Sequence, residues 1–182
     1  MNRPISFKNS TRLFALTSVA ALGVFGASNS SAAASTANAA ATVIVPIKIS
    51  KTQDLNFGKF APGTGGSLMV STDGTRTASG VIMSINNSSP TAAQFDVVGD
   101  SNATYGITWS SDAELAGTES SDSMVLTRIS DFDASGTTSG EVSSGKLNAG
   151  EQTIYLGGVL TIGEAQSTGV YTGSITATVE YN

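Results

Sequence analysis

GVYTGSITATVEYN, residues 169–182, has the most regular pattern in the chain. From residue 171 onward, one face of an extended strand would carry apolar or small residues, namely Tyr171, Gly173, Ile175, Ala177, Val179 and Tyr181. The opposite face would carry Thr172, Ser174, Thr176, Thr178 and Glu180. A slip of one residue would bury the polar set, so the pattern predicts a β-strand of well-defined register over residues 171–181.

The rest of the chain after residue 40 has the same character. Short apolar segments alternate with turn-forming Gly, Ser, Thr, Asn and Asp, and apolar residues do not recur at helical spacing. The predicted strands are residues 43–49, 55–60, 67–71, 78–85, 94–98, 105–109, 124–129, 153–162 and 171–181. This arrangement predicts an all-β, immunoglobulin-like antiparallel β-sandwich of about seven to nine strands. Trp109 is predicted to be the largest core residue, and residues 131–150 form a loop long enough to hold an extra hairpin or to be mobile.

The composition excludes several kinds of chemistry. The chain has 182 residues, a formal charge of -5, and neither cysteine nor histidine. Nucleophile pairs that use histidine, thiolate redox chemistry, disulfides and the common zinc sites are therefore excluded. The acidic residues lie mostly in Ser- and Gly-rich stretches, where solvated carboxylates are the rule. We predict no enzyme, no cofactor, and no catalytic or metal-binding residue.

The N-terminal region predicts export. Arg3, Lys8 and Arg12 precede an uncharged apolar run over residues 13–27, which is typical of a signal peptide. Small residues allow cleavage after Ala34 or Ala39, and we predict residues 1–39 as the signal and processing region and residues 40–182 as one domain. The remaining basic residues are scattered singly among many acids, so neither a nucleic-acid partner nor binding to anionic lipid is expected. No membrane span is expected in the mature chain.

Two short motifs resemble ligand-binding loops. Residues 140–146 have the glycine and lysine spacing of a phosphate-binding loop, but Leu147 stands where a magnesium-binding Ser or Thr is required. Residues 131–141 begin like a calcium loop, with Asp131, Asp133 and Gly136, although the closing Glu141 is one position early. We therefore reject phosphate binding by residues 140–146, whereas calcium binding by residues 131–141 stays open.

Four stretches together resemble a known family: ATVIVPIKIS (41–50), DLNFGKFAPGTGG (54–66), GDSNATYGITW (99–109) and the terminal GVYTGSITATVEYN. Their order is similar to that of the exported bacterial family called domain of unknown function 4402, which is related in pattern to spore-coat-U-like fimbrial subunits. The terminal stretch also resembles the last strand of chaperone-usher pilins, in which Gly169 and Tyr181 would take the places of a characteristic glycine and penultimate tyrosine. The cysteine pair of many pilins is absent.

The resemblance implies a non-enzymatic structural subunit or adhesin-like protein of the bacterial surface, exported to the periplasm and then to the cell surface or a fimbrium. Its partners would be further copies or a periplasmic chaperone, through addition of a β-strand. Val43, Val45, Ile47 and Ile49 would be either the donated strand or the domain's own first strand. The residues of the assembly strand would be Gly169, Tyr171, Gly173, Ile175, Ala177, Val179 and Tyr181. The alternative is a self-complete exported β-sandwich that binds glycan or a host protein.

Overall fold

A computed structural model describes residues 32–86, 88–110 and 113–182. Contacts divide the chain into two units, Met1–Ala41 and Thr42–Asn182. In the first unit, residues 32–41 are exposed and have no regular secondary structure. Residues 1–31 of the predicted signal and processing region, with its basic residues and its apolar run over residues 13–27, lie outside the described residues. Among the residues described, no helix has the length and apolar character needed to cross a membrane.

The second unit consists of antiparallel strands joined by turns. Over its described residues the strands number thirteen: β1 (Lys48–Gln53), β2 (Phe60–Ala61), β3 (Gly66–Val70), β4 (Arg76–Ser79), β5 (Ile82–Met83), β6 (Ala93–Val98), β7 (Thr104–Trp109), β8 (Ala113–Gly117), β9 (Ser123–Asp131), β10 (Ser144–Lys146), β11 (Glu151–Ile162), β12 (Tyr171–Thr172) and β13 (Ala177–Tyr181). The predicted all-β fold is confirmed, although the strands are more numerous and several are shorter than predicted.

Strand β11 lies at the centre of the larger sheet, whose order is β1-β6-β11-β9-β8-β12. One edge of β11 pairs with β6 as far as Leu156 opposite Ala93, and then with β3 from Gly158 opposite Val70. Its other edge pairs with β9, and β4 extends the sheet beyond β3. Because β11 is long enough to pair with two strands end to end, this one strand connects both halves of the sheet.

A smaller sheet, β10-β7-β13, completes the sandwich, and β2 and β5 form a separate two-stranded ribbon. One core cluster joins apolar side chains of the larger sheet to those of β7: Ala93, Phe95, Val97, Ile154 and Leu156 meet Tyr105 and Ile107, with Leu147 beside them. The other cluster contains Phe57, Leu68, Val70, Ala113, Met124, Leu126, Leu160 and Ile162. Side chains of facing sheets that pack together in this way define a sandwich.

The largest fully buried side chain is Tyr105, so the prediction for Trp109 was wrong. The Tyr105 hydroxyl donates a hydrogen bond to Oε1 of Gln152 at 2.8 Å, which satisfies its polar group inside the core. Trp109, at the end of β7, is half-buried and packs edge-on against Phe95 with ring centroids 6.0 Å apart. Its indole N–H donates to the carbonyl oxygen of Val142 at 3.0 Å, and this partner lies at the margin of the core.

The predicted strand over residues 171–181 is broken in its middle. Strand β12 pairs with β8 in the larger sheet, whereas β13 pairs with β7 in the smaller sheet. Residues 173–176 carry the chain from one sheet to the other. A Cβ atom on Gly173 would lie 2.4 Å from the carbonyl oxygen of Glu114, so the crossing brings two backbones into close contact. Alternation continues on both sides of the crossing, and for this reason the sequence pattern does not reveal it.

The predicted first strand also has different limits. Pairing begins at Lys48, which lies opposite Val98, and residues 42–46 are exposed and outside any strand. Pro46 has no N–H group to donate to a ladder, which is consistent with the strand starting after it.

Three further predictions need correction. In residues 55–60, only an isolated bridge between Asn56 and Thr91 forms before β2 begins. Residues 78–85 divide into β4 and β5, because Gly80 between them has a φ of 75° and turns the chain. Strands β8 and β10 were not predicted as strands, and β10 pairs with β7 from within the long loop over residues 131–150.

We predict that Gly173→Ala destabilises the fold by about 1–3 kcal/mol, because the added methyl group meets backbone that cannot move easily. Gly163→Ala is the matched control, since its Cβ atom would have only the flexible end of Gln166 nearby, at 3.7 Å. Urea unfolding measures the free energies. Equal stability of the two variants would contradict the close approach.

Stability should also depend on Tyr105 at high pH. Burial raises the pKa of Tyr105 from 10.0 to about 12. The folded state therefore holds the Tyr105 proton more tightly than the unfolded state does. The resulting contribution to the free energy of unfolding is fully present below pH 10.0 and is lost as the pH rises towards about 12. Tyr105→Phe should flatten the fall in unfolding free energy over that range, and Tyr155→Phe, which keeps Tyr105, should not. The same slope in both variants would show that Tyr105 does not cause it.

Candidate functional site

The DLNFG stretch, residues 54–58, forms a tight turn beside the core. The side-chain Oδ1 of Asn56 accepts the N–H of Gly58 at 2.7 Å, as in an Asx turn. Gly58 has a φ of 72°, and a Cβ atom there would lie 2.2 Å from the hydroxyl oxygen of Ser88. The turn buries Phe57 in one cluster and places Leu55 against both clusters. These contacts explain why Asn and Gly occupy their positions.

Arg76 holds this turn in place. Its Nη1 donates to the carbonyl oxygens of Phe57 at 2.9 Å and Lys59 at 3.1 Å. The same atom donates to the Ser88 hydroxyl at 3.0 Å, and Nη2 donates to the carbonyl oxygen of Ser84 at 2.7 Å. One guanidinium therefore connects the turn to the segment after β5, and its planar fork suits several acceptors at once.

A second wall faces this turn, formed by residues 166–175. The Tyr171 hydroxyl donates to the carbonyl oxygen of Ser167 at 2.7 Å and accepts from Nε2 of Gln166 at 3.0 Å. The Asp122 carboxylate accepts the N–H of Ser167 at 3.0 Å. Hydrogen bonds from the Ser167 side chain and then from its backbone lower the pKa of Asp122. The wall is thus held by its own polar contacts.

Between the two walls lies a cleft with an apolar floor, which we define as the space between residues 51–62 and residues 166–175. It consists of adjoining cavities of about 610 and 490 Å³. Both are lined by Leu55, Asn56, Phe57, Leu115 and Tyr171. The floor is made of Met124, Leu126, Leu156 and Leu160 from the larger sheet. An extended chain with small or aliphatic side chains is the kind of ligand that such a lining suits.

The chain that lines the cleft as far as Ile175 continues into β13, the edge strand of the smaller sheet. Strand β13 ends the order β10-β7-β13, and among the described residues no strand pairs with its second edge. Val179 and Tyr181 pack on the core, whereas Thr178 and Glu180 are exposed. An edge of this kind presents backbone N–H and C=O groups to an incoming strand.

The four predicted residues of the N-terminal strand divide into two pairs. Val43 and Val45 are 96% and 54% exposed. Ile47 and Ile49 are half-buried against the domain's own core, and Ile49 lies opposite Val97 in the β1–β6 ladder. The structure therefore does not place all four on one strand.

The predicted assembly-strand residues are likewise distributed over the cleft and the smaller sheet. Tyr171, Gly173 and Ile175 line the cleft, and Gly169 lines its far end. Ala177, Val179 and Tyr181 belong to β13. Leu115 of β8, which lines both cavities, was missed because its strand is short; the alternation of Ala113, Leu115 and Gly117 was the available signal.

The loop that resembles a calcium site has its own internal partners. Asp131 accepts hydrogen bonds from the Thr137 hydroxyl and from the N–H of Phe132, and in that order these lower the pKa of Asp131. Among the described residues, no group of three or more acidic side chains is arranged to hold a metal ion. The geometry of this loop is that of a hydrogen-bonded turn.

Comparison with known proteins places this sandwich in a family. The model of the family described as Domain of unknown function (DUF4402) matches residues 47–181. The chain belongs to the DUF4402 family. No curated protein and no solved structure matches the chain. The DUF4402 match contains both walls of the cleft and the whole of β13, and it begins after Val43 and Val45.

We predict that Arg76→Gln loosens the wall of the DUF4402 cleft. The variant loses the guanidinium bonds to three backbone carbonyls, which should cost about 1–3 kcal/mol and raise amide hydrogen exchange in residues 57–60. Lys59→Gln removes a positive charge from an exposed neighbour and is the matched control. Exchange rates are read by mass spectrometry. Unchanged exchange in the Arg76 variant would mean that the turn is held by other contacts.

Proposed function

We propose that this DUF4402 domain is a non-enzymatic structural subunit of the bacterial surface that assembles by strand addition. In this proposal, the segment around Val43 and Val45 of one copy pairs with the outer edge of β13 in another copy. Its apolar side chains enter the cleft. The protein would be exported, and its polymer would be a fimbria-like fibre.

The order of the strands is the observation that carries the proposal. In a seven-stranded immunoglobulin-like sandwich, the first, second, fifth and fourth strands form one sheet, and the third, sixth and seventh form the other. Here β1, β6, β11 and β9 are neighbours in the larger sheet, and β7 and β13 are neighbours in the smaller one. The seventh strand of that scheme would pair with the edge of β13 that has no partner among the described residues.

The exposed N-terminal residues suit that position. Val43 is almost fully exposed, and Ile44 and Val45 are about half exposed, which leaves a short apolar segment in water. Residues 42–46 carry no charge. Strand addition would satisfy the backbone groups of β13 and cover both apolar surfaces, and these are the two sources of affinity and specificity in this mode of recognition.

The acidic side chains support a structural role over an enzymatic one. Hydrogen bonds lower the pKa of Asp73, first from the Ser71 side chain, and then from the N–H and hydroxyl of Thr75. Asp122 and Asp131 are shifted in the same direction by their own local donors. These carboxylates stabilise turns in their ionised form, whereas a general acid needs a raised pKa.

A self-complete binding domain is the second candidate. Strand β1 pairs with β6 of its own chain, and Ile47 and Ile49 pack in its own core. The sandwich therefore already has a first strand. In this alternative, the cleft would take up an extended segment of another protein or a glycan, and residues 42–46 would have no role in assembly.

Assembly of two matched variants tests the proposal. Val43→Asp should reduce multimer formation at least about tenfold, because a carboxylate would be buried against the apolar floor of the cleft. Thr42→Asp adds the same charge at the neighbouring position, which faces away in an extended segment, and should assemble like the unmodified protein. Light scattering after size-exclusion chromatography and electron microscopy measure the multimers. A protein that stays monomeric at every concentration, or two variants that assemble equally, would contradict the proposal and favour the binding domain.

A further inference from the structure

The hydroxyl group of Tyr181 connects two distant parts of the chain. Tyr181 lies in β13 opposite Tyr105 of β7, and its ring packs on the core. The hydroxyl accepts a hydrogen bond from the N–H of Asp100 at 2.6 Å. It donates one to the carbonyl oxygen of Val45 at 2.7 Å. Strand β13 is thereby tied to the segment that precedes β1.

The backbone around this hydroxyl leaves space for it. Gly99 has no positive φ, so backbone conformation does not demand glycine there. A Cβ atom on Gly99 would, however, lie 2.3 Å from the Tyr181 hydroxyl oxygen. The N–H of Gly99 donates to the carbonyl oxygen of Gly150 at 2.9 Å, which holds this backbone in position. Glycine at position 99 is therefore explained by the approach of the hydroxyl.

The segment that the hydroxyl contacts has few other attachments. Residues 42–46 lie outside any strand, their side chains are exposed, and Pro46 has no N–H to donate. Within the described residues, the bond from Tyr181 to Val45 is the one hydrogen bond that joins residues 42–46 to the sandwich. The bond is therefore well placed to decide where this segment leaves the domain.

We propose that the Tyr181 hydroxyl is a positioning group that fixes the exit of residues 42–46 at the end of the sandwich where β1 and β13 meet. At that end Ile47, Ile49, Val179 and Tyr181 share one core cluster, and the two strands contact each other. The cleft opens further along, where Lys51 and Ile175 line it.

The tether also fixes where the exposed apolar side chains can lie. Val43 can lie no more than about 7 Å from Val45, two residues away. While Val45 is held by the hydroxyl, Val43 therefore stays near the end of the sandwich where β1 and β13 meet, and its side chain, which is 96% exposed, is presented to another copy from a fixed position. This consequence rests on the proposed function, whereas the positioning by Tyr181 does not.

The test compares Tyr181→Phe with Tyr171→Phe in the purified protein. Each variant keeps the aromatic ring and loses one hydroxyl that both donates and accepts a hydrogen bond. In Tyr181→Phe, amide exchange at Asp100 should rise at least about tenfold, since the bond to its N–H is lost. The ¹⁵N heteronuclear NOE of Val43 and Val45 should fall. Tyr171→Phe should leave both measurements unchanged.

A second variant tests the same contact without removing the hydroxyl. Gly99→Ala should displace the hydroxyl from Val45 and lower the NOE of Val43 and Val45 as Tyr181→Phe does. An NOE in Tyr181→Phe equal to that of the unmodified protein overturns the proposal. Because Asp100, Tyr181 and Val45 belong to one chain, these measurements report contacts within that chain, and their failure is separate from a failure of assembly, which the Val43 and Thr42 variants report.

Discussion

The fold depends on the two-sided pairing of β11. Its first half pairs with β6 and its second half with β3, and Gly157 occupies the position between these two partners. A Cβ atom on Gly157 would lie 2.1 Å from the carbonyl oxygen of Val70, and one on Gly158 would lie 2.5 Å from Cδ1 of Leu126. A larger residue at this change of partner would push the neighbouring strands apart. In a chain without cysteine, this ladder and the two core clusters provide the cohesion.

The length of β11 also explains why a cleft exists. Ile154 and Leu156 lie in the cluster that the smaller sheet covers, whereas Leu160 and Ile162 lie in the other cluster. No residue of β7, β10 or β13 belongs to that other cluster, in the part of the chain that the structure describes. It is covered instead by the turn at residues 54–58 and by the wall at residues 166–175. Because irregular segments cover a surface less completely than a paired strand, apolar side chains remain accessible between them.

The sequence predicts strands well where alternation coincides with burial on one face. Strands β6, β7 and β9 were predicted within two residues of their observed limits, because alternate residues of each strand face the core and the solvent. Alternation does not identify the partner of a strand, however. In residues 171–181, every second residue is apolar or small throughout, although the segment changes sheets. In residues 43–49, every second residue is also apolar, although only Lys48 and Ile49 are paired. The contact from Tyr181 to Val45 depends on tertiary packing, so no local pattern predicts it.

Strands β1 and β13, which contact each other at one end of the sandwich, differ in how readily their free edges can pair with another strand. The edge strand β1 carries exposed Lys48 and Lys51, and lysine on an edge strand disfavours pairing with a further chain. The exposed residues of β13 include Thr178 and Glu180 but no lysine. Residues 42–46 carry no charge, so Glu180 does not repel them. Threonine, as at position 178, is well suited to a paired strand. Since β1 is protected by its lysines and β13 has none, strand addition is favoured at the edge of β13.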